Sequence, residues 1–328
     1  MKKILWILCL FAVCFTPPCK ADPSGGVLRF GVHVSAMGNL DPHFAAASQD
    51  RALADMVFNG LLRYVPGNAP QIEPDLAVDM PDFRMERGSQ IWTINLRRGV
   101  YFHPGPATPA YELTADDVIF SLKKSADKNF CAYSGEYAGM AVRKRGDYGL
   151  EIILEKPISS ILFFPKLTNY GGGFIISKQA VETMGYEGFK SHPIGTGPFA
   201  FEKLLPGSKL SLTANEQYFR GAPKLARIEI LFVPGLKDRE DGLRQGRLDV
   251  ITGSAAKGWI ESMEKKNAII IDTHGVGEVG TLHLNTQMKP TDDIRVRRAI
   301  AYALDRNGFL NATSPRLSGP VFSPVPAQ

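Results

Sequence analysis

Between Val27 and Val34, the residues Leu28, Phe30, Val32 and Val34 recur at every second position, so an extended segment puts all four on one face. That face has to be covered, which commits this end of the chain to a packed sheet. The alternation returns at Gln90 to Leu96, where Trp92, Ile94 and Leu96 point one way, and at Glu151 to Glu155, which Pro157 stops. Phe199 to Leu204, Lys209 to Ala214, Arg227 to Val233 and the shorter Leu248 to Thr252 extend the series. Helical spacing is interleaved with these runs, which predicts a mixed α/β chain without a regular repeat.

Ser48 stands where it caps a helix whose apolar positions, Leu53, Met56, Val57 and Leu61, form a core stripe. Thr114 and Asp117 have capping-box spacing ahead of Val118, Phe120 and Leu122. Lys123 and Lys124 then suit the later turns of that helix, a structural use for their charge. Pro66 to Gly88 mixes prolines, charges and glycines and reads as connecting structure. A helix over 237–245 leads into Leu248 to Thr252, and Ala268 to Asp272 reads as a further short strand. Asp293 opens a helix with Val296, Ile300, Ala303 and Leu304 as its buried stripe, and with Arg295, Arg297 and Arg298 free to face solvent.

Met1 to Ala21 has the layout of a secretory signal: Lys2 and Lys3, an apolar core from Ile4 to Phe15, and small residues at positions 19 and 21. Phe15-Thr16-Pro17-Pro18 lacks the aliphatic and small residues that lipoprotein processing of Cys19 would require. Cleavage after Ala21 leaves 307 residues, enough for one large domain or two smaller ones, with Cys131 as the remaining thiol. An internal disulfide is then excluded, and the core alone must hold the fold. Lys2, Lys3 and Lys20 leave with the signal, so the net charge falls from +5 to +2 and gives no reason to invoke nucleic acid. No later apolar run has the length of a membrane span, and the reading is a soluble exported protein.

The motifs that carry chemistry are weak. Gly275-Val276-Gly277-Glu278-Val279-Gly280 spells a dinucleotide fingerprint, but Thr281 to Asn285 alternates as a strand where the fingerprint needs a helix, so it reads as a turn. Gly171-Gly172-Gly173 lacks the lysine and hydroxyl of a phosphate loop and fits a tight turn or a close backbone approach. The six histidines form no helical ligand pair, Cys131 has no local partner, and no Gly-x-Ser-x-Gly elbow presents a nucleophile. Neither a cofactor, a metal centre nor catalysis is expected.

Several separated segments resemble the family 5 extracellular solute-binding proteins of ABC transporters, the peptide, oligopeptide and nickel-binding group. They run in order: Asn39-Leu40-Asp41-Pro42-His43, Glu73-Pro74-Asp75-Leu76-Ala77, the stretch from Trp92 to His103, and Leu113 to Leu122. Pro193-Ile194-Gly195-Thr196-Gly197-Pro198-Phe199 follows, then Asn215 to Phe219, Gly246 to Val250, and Asp293 to Arg306.

The resemblance implies a type II periplasmic-binding-protein-like, two-lobed α/β fold with an inserted subdomain. On it, residues 1–21 are the signal peptide, 22–45 and 175–255 lobe I, 46–174 the inserted subdomain II, and 256–328 the start of a lobe III that is incomplete at the C-terminus, because family members continue well beyond Asp305-Arg306. It implies binding without catalysis: capture of a peptide or other small solute in a cleft, hinge closure, and delivery to the permease subunits of an ABC transporter. The protein would be periplasmic or otherwise extracytoplasmic, meeting the membrane only through the transporter. His33, Val34 and Ser35 would lie beside the cleft at the end of the first strand. Phe130 and Tyr133, with Asn169, Tyr170 and Gly171, would form the nearer wall, aromatic rings taking ligand side chains and polar groups taking peptide backbone. The Gly195-Thr196-Gly197 signature is expected to be architectural. A receptor for nickel or another small solute, a noncatalytic interaction protein keeping part of the receptor fold without ligand binding, and more distantly an enzyme stand as alternatives.

Overall fold

The structure is a computed structural model that describes residues 25–67, 71–266, 269–271 and 282–312. The signal segment, the glycine pattern at 275–280 and the proline-rich end lie outside the described residues. Strand β1 (Gly26–Val32) leads through a bend to helix α1 (Ser48–Val57), the short strands β2 (Asn59–Gly60), β3 (Leu62–Tyr64) and β4 (Ile72–Pro74), and the hairpin of β5 (Asp82–Glu86) and β6 (Ser89–Asn95). Helices α2 (Ala115–Ser125) and α3 (Ser134–Tyr137), strands β7 (Met140–Lys144) and β8 (Gly149–Leu154), and helix α4 (Ser160–Phe163) follow. Then come strand β9 (Phe174–Ile175), helix α5 (Lys178–Ser191), strands β10 (Phe199–Leu205), β11 (Lys209–Ala214) and β12 (Leu225–Phe232), helix α6 (Leu236–Arg244) and strand β13 (Val250–Ile251). These form the first of two compact units, 1–251; the second, 252–328, contains α7 (Lys257–Glu264), α8 (Ile294–Ala303) and α9 (Arg306–Ala312).

Two sheets organise the first unit. In one, the order is β10-β11-β12-β1-β13, with β1 parallel to both β12 and β13. Leu28, Phe30 and Val32 lie opposite Ile228, Ile230 and Phe232, so the apolar alternation of β1 sets its pairing register. The other is antiparallel, β5-β6-β8-β7, with Trp92, Ile94, Leu150 and Ile152 buried on its inner face. Trp92 stacks on Phe163 at 4.5 Å and meets Phe83 at 4.7 Å and Phe164 at 5.5 Å. Each such pair adds about 1 kcal/mol to the burial of the rings. On the outer face the Glu151 carboxylate is buried beneath Arg84, Arg143 and Arg145, which all bond it. Burial pushes this carboxyl up, but Arg143 and Arg84 outweigh the effect and hold it at about 2.

Several local expectations change. Strand β1 stops at Val32, so His33 and Val34 lie beyond it. Ser48 does not cap α1: Ala47 occupies the cap position, and Ser48 is already in the first turn. Pro66 to Gly88 is not merely connecting, because β4 and β5 fall within it. All five residues of β5 are exposed on an edge strand, so no buried alternation marks them. Its turn is formed by Arg87 and Gly88, both at positive φ (51° and 85°), the geometry of a two-residue hairpin. Ile269 to Ile271 and residues 282–285 carry no strand. Helix α8 forms, its Asp293 side chain accepting from the Arg295 N–H at 2.8 Å, but Val296 and Ile300 are half-buried and Ala303 and Leu304 exposed. The described residues of this unit therefore cover the expected stripe only in part.

Candidate functional site

The turn after β1 builds the site from within. The Asp41 N–H donates to Asn39 Oδ1 at 2.9 Å, and Asp41 Oδ1 accepts from the His43 N–H at 3.1 Å, capping the single helical turn Pro42–Phe44. This folds the Asp41 and His43 side chains inward, where both are fully buried. Their partner is Lys124, in the last turn of α2 and also buried. Its ammonium lies 2.9 Å from Asp41 Oδ2 and 3.1 Å from His43 Nδ1, and donates to the Phe130 carbonyl at 2.9 Å. His43 Nε2 faces the Phe174 carbonyl at 2.8 Å; a carbonyl only accepts, so Nε2 carries the proton and Nδ1 accepts from Lys124. Burial, then the Lys124 charge, lowers this imidazole to about 4, in keeping with a neutral ring.

This cluster underlies the surface that carries most of the residues expected to bind ligand. The Ala132 N–H donates to the His43 carbonyl at 3.0 Å, and Tyr133 Oη to the Ala45 carbonyl at 2.9 Å. Gly171 sits at φ +54°, and a Cβ there would lie 3.1 Å from the Tyr133 ring, so the position takes no side chain without strain. That close approach brings Tyr170 to 6.1 Å from Tyr133, ring to ring, with Tyr170 47% exposed. The Arg51 guanidinium lies 5.8 Å from the Tyr170 ring centre. Asn169 borders the pair, accepting from the Tyr64 N–H at 3.0 Å and donating to the Asp55 carboxylate. Its amide thus joins β3 to α1 and holds the Asp55 side chain, whose carboxyl is pushed up by its partly desolvated surroundings.

Tyr133, Tyr170 and Gly171 therefore share one surface with Asn169 at its edge. Phe130 is turned away: its ring stacks on Tyr186 of α5 at 4.1 Å, and its carbonyl serves Lys124. His33 and Ser35 are exposed and Val34 half-buried at the end of β1; among the described residues, no hydrogen bond or ring contact joins these three to the tyrosine pair. Sequence reasoning missed Arg51, Asp55 and Tyr64 on this surface, and the inward role of Asp41, His43 and Lys124. One signal was available for the last: Asp117, Ser121, Lys124 and Ser125 recur at helical spacing on the buried face of α2.

Two grooves are lined by other residues, the second by Asn129 and Ser134 on either side of the Phe130–Tyr133 loop. One of about 530 Å³ is lined by Met37, Leu40, Lys190, His192, Phe201 and Lys203, and one of about 520 Å³ by residues including Lys123, Asp127, Asn129 and Ser134. Neither contains a residue singled out as a binding candidate. Among the described residues, no group of three or more His, Cys, Asp or Glu is gathered to hold a metal ion, and no helix is long and apolar enough to cross a membrane.

A profile of the bacterial extracellular solute-binding proteins, family 5 Middle, matches residues 71–328. Heme-binding protein A of Haemophilus influenzae is 27% identical over 84% of this chain and 52% of its own length. Probable di/tripeptide-binding protein 5 of Pseudomonas aeruginosa is 26% identical over 93% of this chain and 60% of its own. Among solved structures, the solute-binding protein MoaA from A. tumefacien R10, in complex with mannopinic acid, superposes with a TM-score of 0.80 at 34% identity, over 89% of this chain and 58% of that one. The chain spans about half the length of the curated relatives it matches.

Proposed function

The chain belongs to the bacterial extracellular solute-binding proteins of family 5, and we propose from that membership that it is the extracytoplasmic solute-binding component of an ABC transporter, taking peptides and handing them to permease subunits. The observation that carries the peptide reading is the Tyr133 and Tyr170 pair, with Tyr170 half exposed, the Arg51 guanidinium near its ring and the Asp55 carboxylate held by the adjoining Asn169. Aromatic faces receive side chains of varied shape, while opposite charges beside them suit the amide dipoles and charged ends of a short peptide. His33 and Ser35 extend this polar inventory at the end of β1. The role calls for binding and release, with no bond made or broken.

The same reading assigns 22–45 and 175–255 to one lobe, 46–174 to an inserted subdomain and 256–328 to the beginning of another lobe. It is supported by the β10-β11-β12-β1-β13 sheet, drawn from both ends of the first unit, and by the β5-β6-β8-β7 sheet, drawn wholly from 82–154. Met1 to Ala21 would direct export. A second reading, a small organic acid as the solute, is favoured by the likeness to the mannopinic acid complex of MoaA.

Isothermal titration with di- to pentapeptides and with mannopinic acid separates the two. Saturable peptide binding that weakens in Tyr170→Ala supports the first reading. Binding of the acid without any peptide transfers the assignment to the second, and a folded chain that binds neither overturns both.

A further inference from the structure

We infer that Lys124 is a positioning residue, its buried ammonium setting the main chain of the Phe130–Tyr133 loop beneath the ligand-facing tyrosines. The inference rests on the proposed reading that Tyr133 and Tyr170 face ligand. A lysine has three donors, and each here is directed to a different group: the Asp41 carboxylate, His43 Nδ1 and the Phe130 carbonyl. Charge neutralisation would be complete with Asp41 alone. Removing one partner of a buried ion pair is strongly destabilising by itself, so lost stability does not reveal what the third bond does, whereas the segment that loosens does. That bond ties a loop, and the loop carries Tyr133.

Two arms leave the cluster. One runs from Lys124 to the Phe130 carbonyl and on through the Ala132 N–H to the His43 carbonyl at 3.0 Å. The other runs from His43 Nε2 to the Phe174 carbonyl at 2.8 Å, with Ser125 Oγ donating to the Gly172 carbonyl at 2.6 Å beside it. The first arm fixes the segment that presents Tyr133, and the second fixes the segment that follows Tyr170. Their separation makes the role testable, because each arm can be cut alone.

Hydrogen exchange resolved by segment, measured on the whole chain, compares the wild type with Lys124→Met and His43→Asn. The asparagine keeps an acceptor near the Nδ1 position and drops the donor to Phe174. Lys124→Met is expected to raise exchange in 130–133 roughly tenfold and leave 172–174 nearly unchanged, and His43→Asn to do the reverse. If Lys124→Met does not fold, Lys124→Gln, too short to reach Phe130, carries the same comparison. The affinity of a peptide bound by the wild type is expected to fall about tenfold in the Lys124 variant. Equal loosening of both segments by either variant, or loosening of neither, overturns the inference, as does segment-matched loosening with unchanged peptide affinity. A wild type that binds no peptide instead defeats the functional reading, and the exchange pattern still decides what Lys124 positions.

Discussion

Thr196 Oγ1 donates to Asn59 Oδ1 at 3.0 Å, and both side chains are buried. The Asn59 amide in turn donates to Asp75 at 2.8 Å and reaches the Tyr218 hydroxyl at 3.2 Å, while Arg220 Nε donates to Asp75 at 2.7 Å. The glycines on either side of Thr196 let its backbone lie against the end of α1: a Cβ at Gly195 would be 2.1 Å from the Val57 carbonyl oxygen, and one at Gly197 2.6 Å from that of Met56. Thr196→Val leaves a buried acceptor unmet and is expected to cost about 1–3 kcal/mol. Gly195→Ala meets rigid backbone and should cost about 3 kcal/mol or more. Urea midpoints at constant slope measure both, and a Thr196→Val change below about 0.5 kcal/mol would mean the network is not coupled as described.

The strands that could be read from the sequence are those with one face buried. Trp92, Ile94 and Leu96 alternate because β6 is a central strand, whereas edge strand β5, with every residue exposed, leaves no such trace. Helix α5 was missed because Gly185, at φ +72°, kinks it and interrupts the helical spacing. Lys124 reads only as a charge that suits the last turns of α2 because Asp41 and His43, its partners, lie 83 and 81 residues away in sequence. Tyr133 and Tyr170 become neighbours through the backbone conformation at Gly171, which periodicity does not encode.

Acid should unfold this protein through two histidines. Burial, then the charge of Lys124, lowers His43 to about 4, and burial lowers His103 to about 4, against an ordinary 6.5. The His103 Nε2 faces the Gly197 carbonyl at 2.9 Å, and its Nδ1 has no hydrogen-bond partner among the described residues, so a second proton there would be buried without compensation. Below pH 6.5 the unfolded chain binds protons that the folded chain refuses. The stability these rings contribute is complete above that value and is lost as pH falls from 6.5 to 4, by about 3 kcal/mol for each ring. Urea melts at pH 7 and 4.5 should show the drop, and His103→Gln should remove about half of it. A flat profile across that window would contradict the neutral, buried assignment of both rings.

Tyr170 offers a separation of affinity from stability. The residue is 47% exposed, so Tyr170→Ala should change stability little, within about 0.5 kcal/mol. Loss of an aromatic contact to ligand should weaken binding by about 1–2 kcal/mol, roughly 5- to 30-fold in Kd. Calorimetry and urea melts on the same preparation give both numbers. A variant that loses stability and keeps its affinity would return Tyr170 to a packing role.

Thiol counting tests the export reading without any ligand. The chain has 4 cysteines, and Cys9, Cys14 and Cys19 all fall within Met1 to Ala21, so cleavage there leaves Cys131. That thiol is 2% exposed, and burial pushes its pKa up, outweighing the opposite pull of the Tyr133 N–H that donates to it at 3.3 Å, so burial both shields the sulfur and suppresses the reactive thiolate. Protein recovered from the extracytoplasmic fraction should therefore show almost no reaction with a thiol reagent when native and one equivalent when unfolded. Four equivalents after unfolding, with an intact mass that still includes residues 1–21, would refute cleavage after Ala21. One equivalent reacting at the native stage would instead mean that the 130–133 loop opens, a loosening that Lys124→Met should increase further.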